Sequence, residues 1–160
     1  MQVPFVDLRQ RCAEERDELL ACLDGVIAGA HFVLGEAGAR FEAAAAARIG
    51  VDHVIGLNSG TDALMMALWA HGIGRGDEVI TTPVSFVATT GAIVHVGARP
   101  VYVDVGDDQN LDPARIEAAI TPRTRAILPV HWCGRVADLD AIGAIARAHG
   151  LLLIEDAAQA

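Results

Sequence analysis

The stretch "DLDAIGAIARAHGLLLIED", residues 138–156, reads as a helix running straight into a strand. Gly150 stops the helix, and the four apolar residues 151–154 suit a buried strand. Glu155 and Asp156 then arrive where a sheet would have its carboxyl edge. The same alternation extends upstream. Short β-rich runs stand at "HVIGL" (53–57), "EVITT" (78–82), "PVYVD" (100–104) and "AILPV" (126–130). Between them lie helical stretches, "TDALMMALWAHG", "SFVATTGAIVHVG" and "DPARIEAAI". Asp112 followed by Pro113 makes an N-cap and first-turn pair, and Gly72 is a further stop. Strands alternating with helices predict an α/β fold, a mostly parallel sheet with helices on both faces. The runs are apolar on both sides, as buried parallel strands should be. Two helices precede this pattern. One covers residues 8–27, with Leu19, Leu20, Leu23, Val26 and Ile27 at helical spacing; the other covers 36–49 and ends at Gly50.

At 160 residues the chain suits one domain with enough apolar content for a core. All twelve basic residues are arginine, and there is no lysine. The formal net charge of −9 argues against a nucleic-acid partner. No apolar run approaches a membrane span, and "MQVPFVDLRQR" lacks the apolar core of a signal peptide. Cys12, Cys22 and Cys133 form an odd, scattered set, expected as reduced thiols of a cytoplasmic protein.

Ligands of such sheets bind in the loops after the strands. "NSGTDAL" (58–64) runs from a strand into a helix, where free amides beside Ser59, Gly60 and Thr61 would suit an anion. Ser59 or Thr61 could equally serve only as a helix cap. "GIGRGDE" (72–78) stands before a strand, the wrong order for a dinucleotide site, and reads as a turn. In "TTPVSFVATTGAI" (81–93), Phe86 opens a helix near the functional edge, available to stack on a planar ligand or to fill the core. "PVHWCG" (129–134) clusters His131, Trp132 and Cys133, but no second ligand pair completes a metal site, so no metal is expected. Packing and a place at the substrate mouth suit this cluster better. Asp156 at a strand end needs a partner, either an arginine or the protonated nitrogen of a heterocyclic cofactor, with Gln159 three residues on.

In this order and spacing, "NSGTDAL", "TPVSFVATTGAI", "PVYVDV", "PVHWCG" and "IEDAAQA" resemble the DegT/StrS-type aminotransferases. "VPFVDL" and "FVLGEAGARFE" are similar to that family's N-terminal region, so the resemblance covers essentially the whole chain. These are fold-type-I enzymes of pyridoxal 5'-phosphate and its pyridoxamine form, typically aminating nucleotide-linked keto sugars or cyclitols. The resemblance implies that Gly60 and Thr61 hold the cofactor phosphate and Phe86 stacks on the pyridine ring. It further implies that Asp156 pairs with the ring nitrogen and Gln159 lies near the phenolic oxygen. In place of the family's His-Leu-Tyr-Gly this chain reads His131-Trp132-Cys133-Gly134, which leaves His131 and Trp132 as substrate-side candidates.

The family's Schiff-base lysine follows the Glu-Asp-Ala motif by a few tens of residues, with a smaller domain after it. Residues 1–160 are therefore expected to be the N-terminal portion of a large domain, without a catalytic residue of their own and inactive alone. The lysine would come from a missing part of the same protein or from a second polypeptide, in a dimer or heteromer. The resemblance also implies glutamate or glutamine as amino donor. A lysine-free module that binds the cofactor non-covalently or scaffolds a complete homologue ranks below that reading. Last comes a domain that binds some other phosphate ligand at Gly60 and Thr61.

Overall fold

A computed structural model describes residues 4–160; residues 1–3, including Val3 of "VPFVDL", lie outside the described residues. The chain divides into two compact units, one ending at Gly56 and the other Leu57–Ala160. In the first, α1 (Leu8–Gly29) starts where the Asp7 carboxylate accepts the Arg9 N–H, and it buries none of its side chains. Helix α2 (Glu36–Ile49) ends at Gly50, whose φ of 82° is the left-handed cap predicted for a glycine stop.

The second unit carries α3 (Gly60–Ala70), β1 (Glu78–Thr81), α4 (Val87–His95), β2 (Arg99–Tyr102), α5 (Pro113–Ala119), β3 (Thr124–Ile127), α6 (Leu139–His149) and β4 (Leu152–Leu153). The strands form one sheet in the order β2-β1-β3-β4, and every pair is parallel. Side-chain alternation then sorts the core into two layers. Val79 and Ala126 face one cluster with Leu64 and Leu68 of α3 and Ala92 and Ile93 of α4. Ile80 and Ile127 face the other, with Ile116 of α5 and Ile142 and Ala146 of α6. Helices thus cover both faces, as the alternating pattern predicts. The caps are also as read: Asp112 accepts from Ala114 N–H with Pro113 inside the first turn, and Gly150 closes α6 at φ 64°.

Two strand readings need correction. Residues 53–57 form no strand, because no neighbouring backbone pairs with them. The Gly56 N–H is taken by the Glu42 carboxylate at 2.7 Å, and Ile55 and Leu57 stay exposed. β4 is the outermost strand on its side of the sheet, so residues 151–154 are half-buried instead of buried. The fully buried reading holds for β1, which has a strand on each side.

At the amino edge of the sheet, the Glu78 side chain is 1% exposed and lies between Arg99 at 2.6 Å, Arg123 at 2.6 Å and the Thr121 hydroxyl at 2.7 Å. This cluster was not foreseen, because its members are brought together only by pairing β1 with β2 and by the turn before β3.

Candidate functional site

In this sheet order the chain moves outward from β1 to β2 on one side and from β3 to β4 on the other. The loops leaving β1 and β3 therefore diverge and open a crevice at the carboxyl edge. A cavity of about 270 Å³ lies there, lined by Gly60, Thr61, Phe86, Trp132, Asp156 and Gln159 among others. Four separate loops supply these residues, so the topology gathers what the sequence scatters over 100 positions.

Gly60 and Thr61 occupy the first turn of α3. Ser59 is the cap: extended at φ −156°, it accepts the Asp62 N–H at 3.1 Å, and the first backbone helical bond runs from Ala63 N to Ser59 O. Of the two readings of this segment, the cap is therefore made by Ser59 and not by Thr61. Ser59 holds the helix end, and the amides of Gly60 and Thr61 stand at its positive pole. Ser59→Ala is expected to cost about 1 kcal/mol of stability, read as a lower urea midpoint. Phe86 stands just before α4 and is 69% exposed, so it is no core residue.

Asp156 is buried, and its position is set by main chain on both sides. His131 N donates to Asp156 O at 3.1 Å and Asp156 N to Pro129 O at 3.0 Å, continuing the β3–β4 pairing one step past the strands. Its carboxylate accepts the Thr89 hydroxyl at 2.6 Å and the Ala158 N–H at 3.3 Å. No arginine pairs with it among the described residues. Gln159 is held through its amide oxygen, which accepts Cys133 N–H at 2.8 Å. That bond fixes which end of the amide faces the turn and leaves the NH₂ group to donate elsewhere. The turn that delivers Cys133 N–H is left-handed at both Cys133 (φ 53°) and Gly134 (φ 80°). A Cβ at Gly134 would also lie 2.9 Å from the Gln159 carbonyl oxygen, so glycine is required there.

The site thus combines a helix amino end, an exposed aromatic face, a buried carboxylate and an amide donor around one cavity. The family model of the DegT/DnrJ/EryC1/StrS aminotransferases matches residues 13–160. This chain belongs to that family. It is 52% identical over 159 residues to the UDP-N-acetyl-3-dehydro-alpha-D-glucosamine 3-aminotransferase of Acidithiobacillus ferrooxidans, a match covering 99% of this chain and 43% of the relative. Among solved structures, Streptomyces venezuelae DesV in complex with a ketimine intermediate superposes with a TM-score of 0.97 at 47% identity, over 99% of this chain and 43% of DesV. NtdA of Bacillus subtilis with bound PMP gives a TM-score of 0.93 at 39% identity, over 98% of this chain and 36% of NtdA. The chain therefore spans about two fifths of the length of these relatives.

In this DegT/DnrJ/EryC1/StrS chain the two substrate-side candidates separate. Trp132 is half-buried at the cavity wall. His131 is 3% exposed and does not line the cavity. Its Nδ1 accepts Ala137 N–H at 3.2 Å, so Nε2 carries the proton and meets Glu155 at 3.0 Å. Both ring nitrogens are engaged within the fold, so of the two candidates only Trp132 lines this cavity. Asn110, absent from the sequence reading, accepts Trp132 N–H at 3.1 Å and donates to Arg135 O at 3.2 Å, pinning the turn that carries Trp132. A buried asparagine between acidic loop residues gives no local signal of that task. No group of three or more His, Cys, Asp or Glu residues placed to hold a metal ion occurs among the described residues.

Proposed function

We propose that this chain forms the cofactor-holding part of an aminotransferase that uses pyridoxal 5'-phosphate and acts on a keto sugar, nucleotide-linked, or on a related cyclitol. The observation that carries the reading is the cavity at the sheet's reversal point, with a helix amino end and a buried carboxylate on its wall. The residues fit the group by type. The cofactor needs amide donors for a dianionic phosphate, an aromatic face for its ring, an acceptor for its ring N–H and a donor for its phenolic oxygen. Gly60 and Thr61, Phe86, Asp156 and Gln159 would supply these in turn. The bound group supplies an electron sink for moving a proton between two carbons.

The chain's own contribution is then to bind and orient. The amino end of α3 neutralises phosphate charge, and Phe86 fixes the ring plane. Asp156 holds the ring-nitrogen proton in a position shielded from water. Trp132 closes the wall on which the keto substrate would rest. The covalent amine and the base that carries protons would both belong to a lysine, and this sequence has none. They would be contributed by the remainder of the protein or by a second polypeptide, in a dimer or heteromer, with glutamate or glutamine as amino donor. The sugar-nucleotide name of the Acidithiobacillus relative supports the substrate class.

Borohydride reduction of the native assembly, followed by digestion and mass analysis, tests the arrangement. A pyridoxyl phosphate mass on a lysine peptide outside this sequence supports it. Non-covalent release of all cofactor, with no labelled lysine, supports instead a binding module.

A further inference from the structure

We propose that Thr89, backed by Ser85, is the positioning residue that presents the Asp156 carboxylate to the cofactor ring. The inference rests on the reading of Asp156 as partner of the ring nitrogen. Thr89 lies in the first turn of α4, is 0% exposed, and sits 67 positions from Asp156 in sequence. Its hydroxyl reaches Asp156 Oδ2 at 2.6 Å and the Ser85 hydroxyl at 2.5 Å. A carboxylate only accepts, so the Thr89 proton goes to Asp156, and the Thr89 oxygen must then accept from Ser85. The chain of hydroxyls has one polarity, Ser85 to Thr89 to Asp156, and each bond strengthens the next.

Three consequences follow from that geometry. The Asp156 side chain has two rotatable bonds, and its other direct contact, to Ala158 N–H, is long at 3.3 Å. The short bond from Thr89 therefore fixes the carboxylate plane before any ligand arrives, and the cost of ordering it is not charged to binding. Second, the two oxygens are held from different sides, Oδ2 by the Thr89 hydroxyl and Oδ1 by the longer contact from Ala158 N–H, so the carboxylate edge is oriented by α4 and by its own turn together. Third, Ser85, Phe86 and Thr89 share one turn, where Thr89 N donates to Phe86 O at 3.2 Å. The face that stacks and the carboxylate that receives the ring nitrogen are thus set by the same short segment.

The test uses the native assembly and two probes, pyridoxamine 5'-phosphate and its 1-deaza analogue, in which carbon replaces the ring nitrogen. Calorimetric dissociation constants give the preference for the nitrogen. Thr89→Val should reduce that preference about tenfold, the scale of one hydrogen bond to a charged group, while Thr89→Ser retains it. Ser85→Ala should reduce it about threefold, and it reads the same quantity at a half-buried position should Thr89→Val fail to fold. Thr89→Val or Ser85→Ala with the wild-type preference overturns the inference, provided Asp156→Asn abolishes it. If Asp156→Asn keeps the preference, the assignment of Asp156 to the ring nitrogen falls, and the inference falls with it. A purely structural role for Thr89 would weaken both probes equally and leave the preference unchanged.

Discussion

Asp156→Asn in the native assembly is expected to lower kcat by about 100-fold or more, on the order of 3 kcal/mol of transition-state stabilisation, with little change in the KM of the keto substrate. The asparagine matches the aspartate in shape, and its amide oxygen can still accept from Thr89. What it lacks is the negative charge that, in the proposed arrangement, would keep a proton on the ring nitrogen and so make the ring an effective electron sink. The side chain lies 7% exposed at a backbone position held from both sides, so water cannot substitute for the lost carboxylate. Steady-state kinetics on the variant, with cofactor saturation verified by absorbance, provide the check. A kcat within about threefold of wild type would remove Asp156 from the chemistry and return it to a purely structural part.

The second large effect lies at the opposite edge of the sheet and concerns stability alone. The Arg99 guanidinium first, then the Thr121 hydroxyl and Arg123, hold the Glu78 carboxyl well below its usual range, at about 2, against burial that pushes the other way. A lowered folded-state value means that the stabilisation is complete above the unfolded value near 4.5 and is lost as the pH falls toward 2. Glu78→Gln should therefore unfold more readily at pH 7, by about 2–3 kcal/mol. That lies below the usual cost of a broken buried pair, because both arginines keep more than half of their side-chain surface in water. The difference from wild type should shrink as the pH drops below 4.5 and nearly vanish at pH 2. Urea unfolding at several pH values measures it, and a pH-independent difference would show that the charge is not what the cluster uses.

What could be read from the sequence was whatever local chemistry decides. Gly50 and Gly150 stop helices because their backbones turn left-handed, and Asp112–Pro113 starts one because a carboxylate caps while proline needs no donor. Apolar runs bounded by such signals gave the parallel sheet with helices on both faces. Six of the seven candidate site residues meet at one cavity, carried by the start of α3 and by the segments that follow β1, β3 and β4. What stayed hidden depends on partners far along the chain. Residues 53–57 have the composition of a strand, yet a strand exists only when another backbone pairs with it. Thr89 looks like an ordinary helix residue until α4 is laid against the end of β4. Nothing next to His131 in the sequence shows that Ala137 N–H and the Glu155 carboxylate meet its two nitrogens. The Glu78 cluster is invisible for the same reason, since β1, β2 and the turn before β3 must first come together.

The central claim is that this cavity holds pyridoxal phosphate in one particular orientation. A crystal structure of the native assembly with pyridoxamine 5'-phosphate tests it most directly. The account predicts the phosphate at the amino end of α3 on Gly60 and Thr61, the ring against Phe86, its nitrogen within hydrogen-bond distance of Asp156, and its phenolic oxygen beside Gln159. A ring bound elsewhere, or bound here with its nitrogen turned away from Asp156, would contradict it.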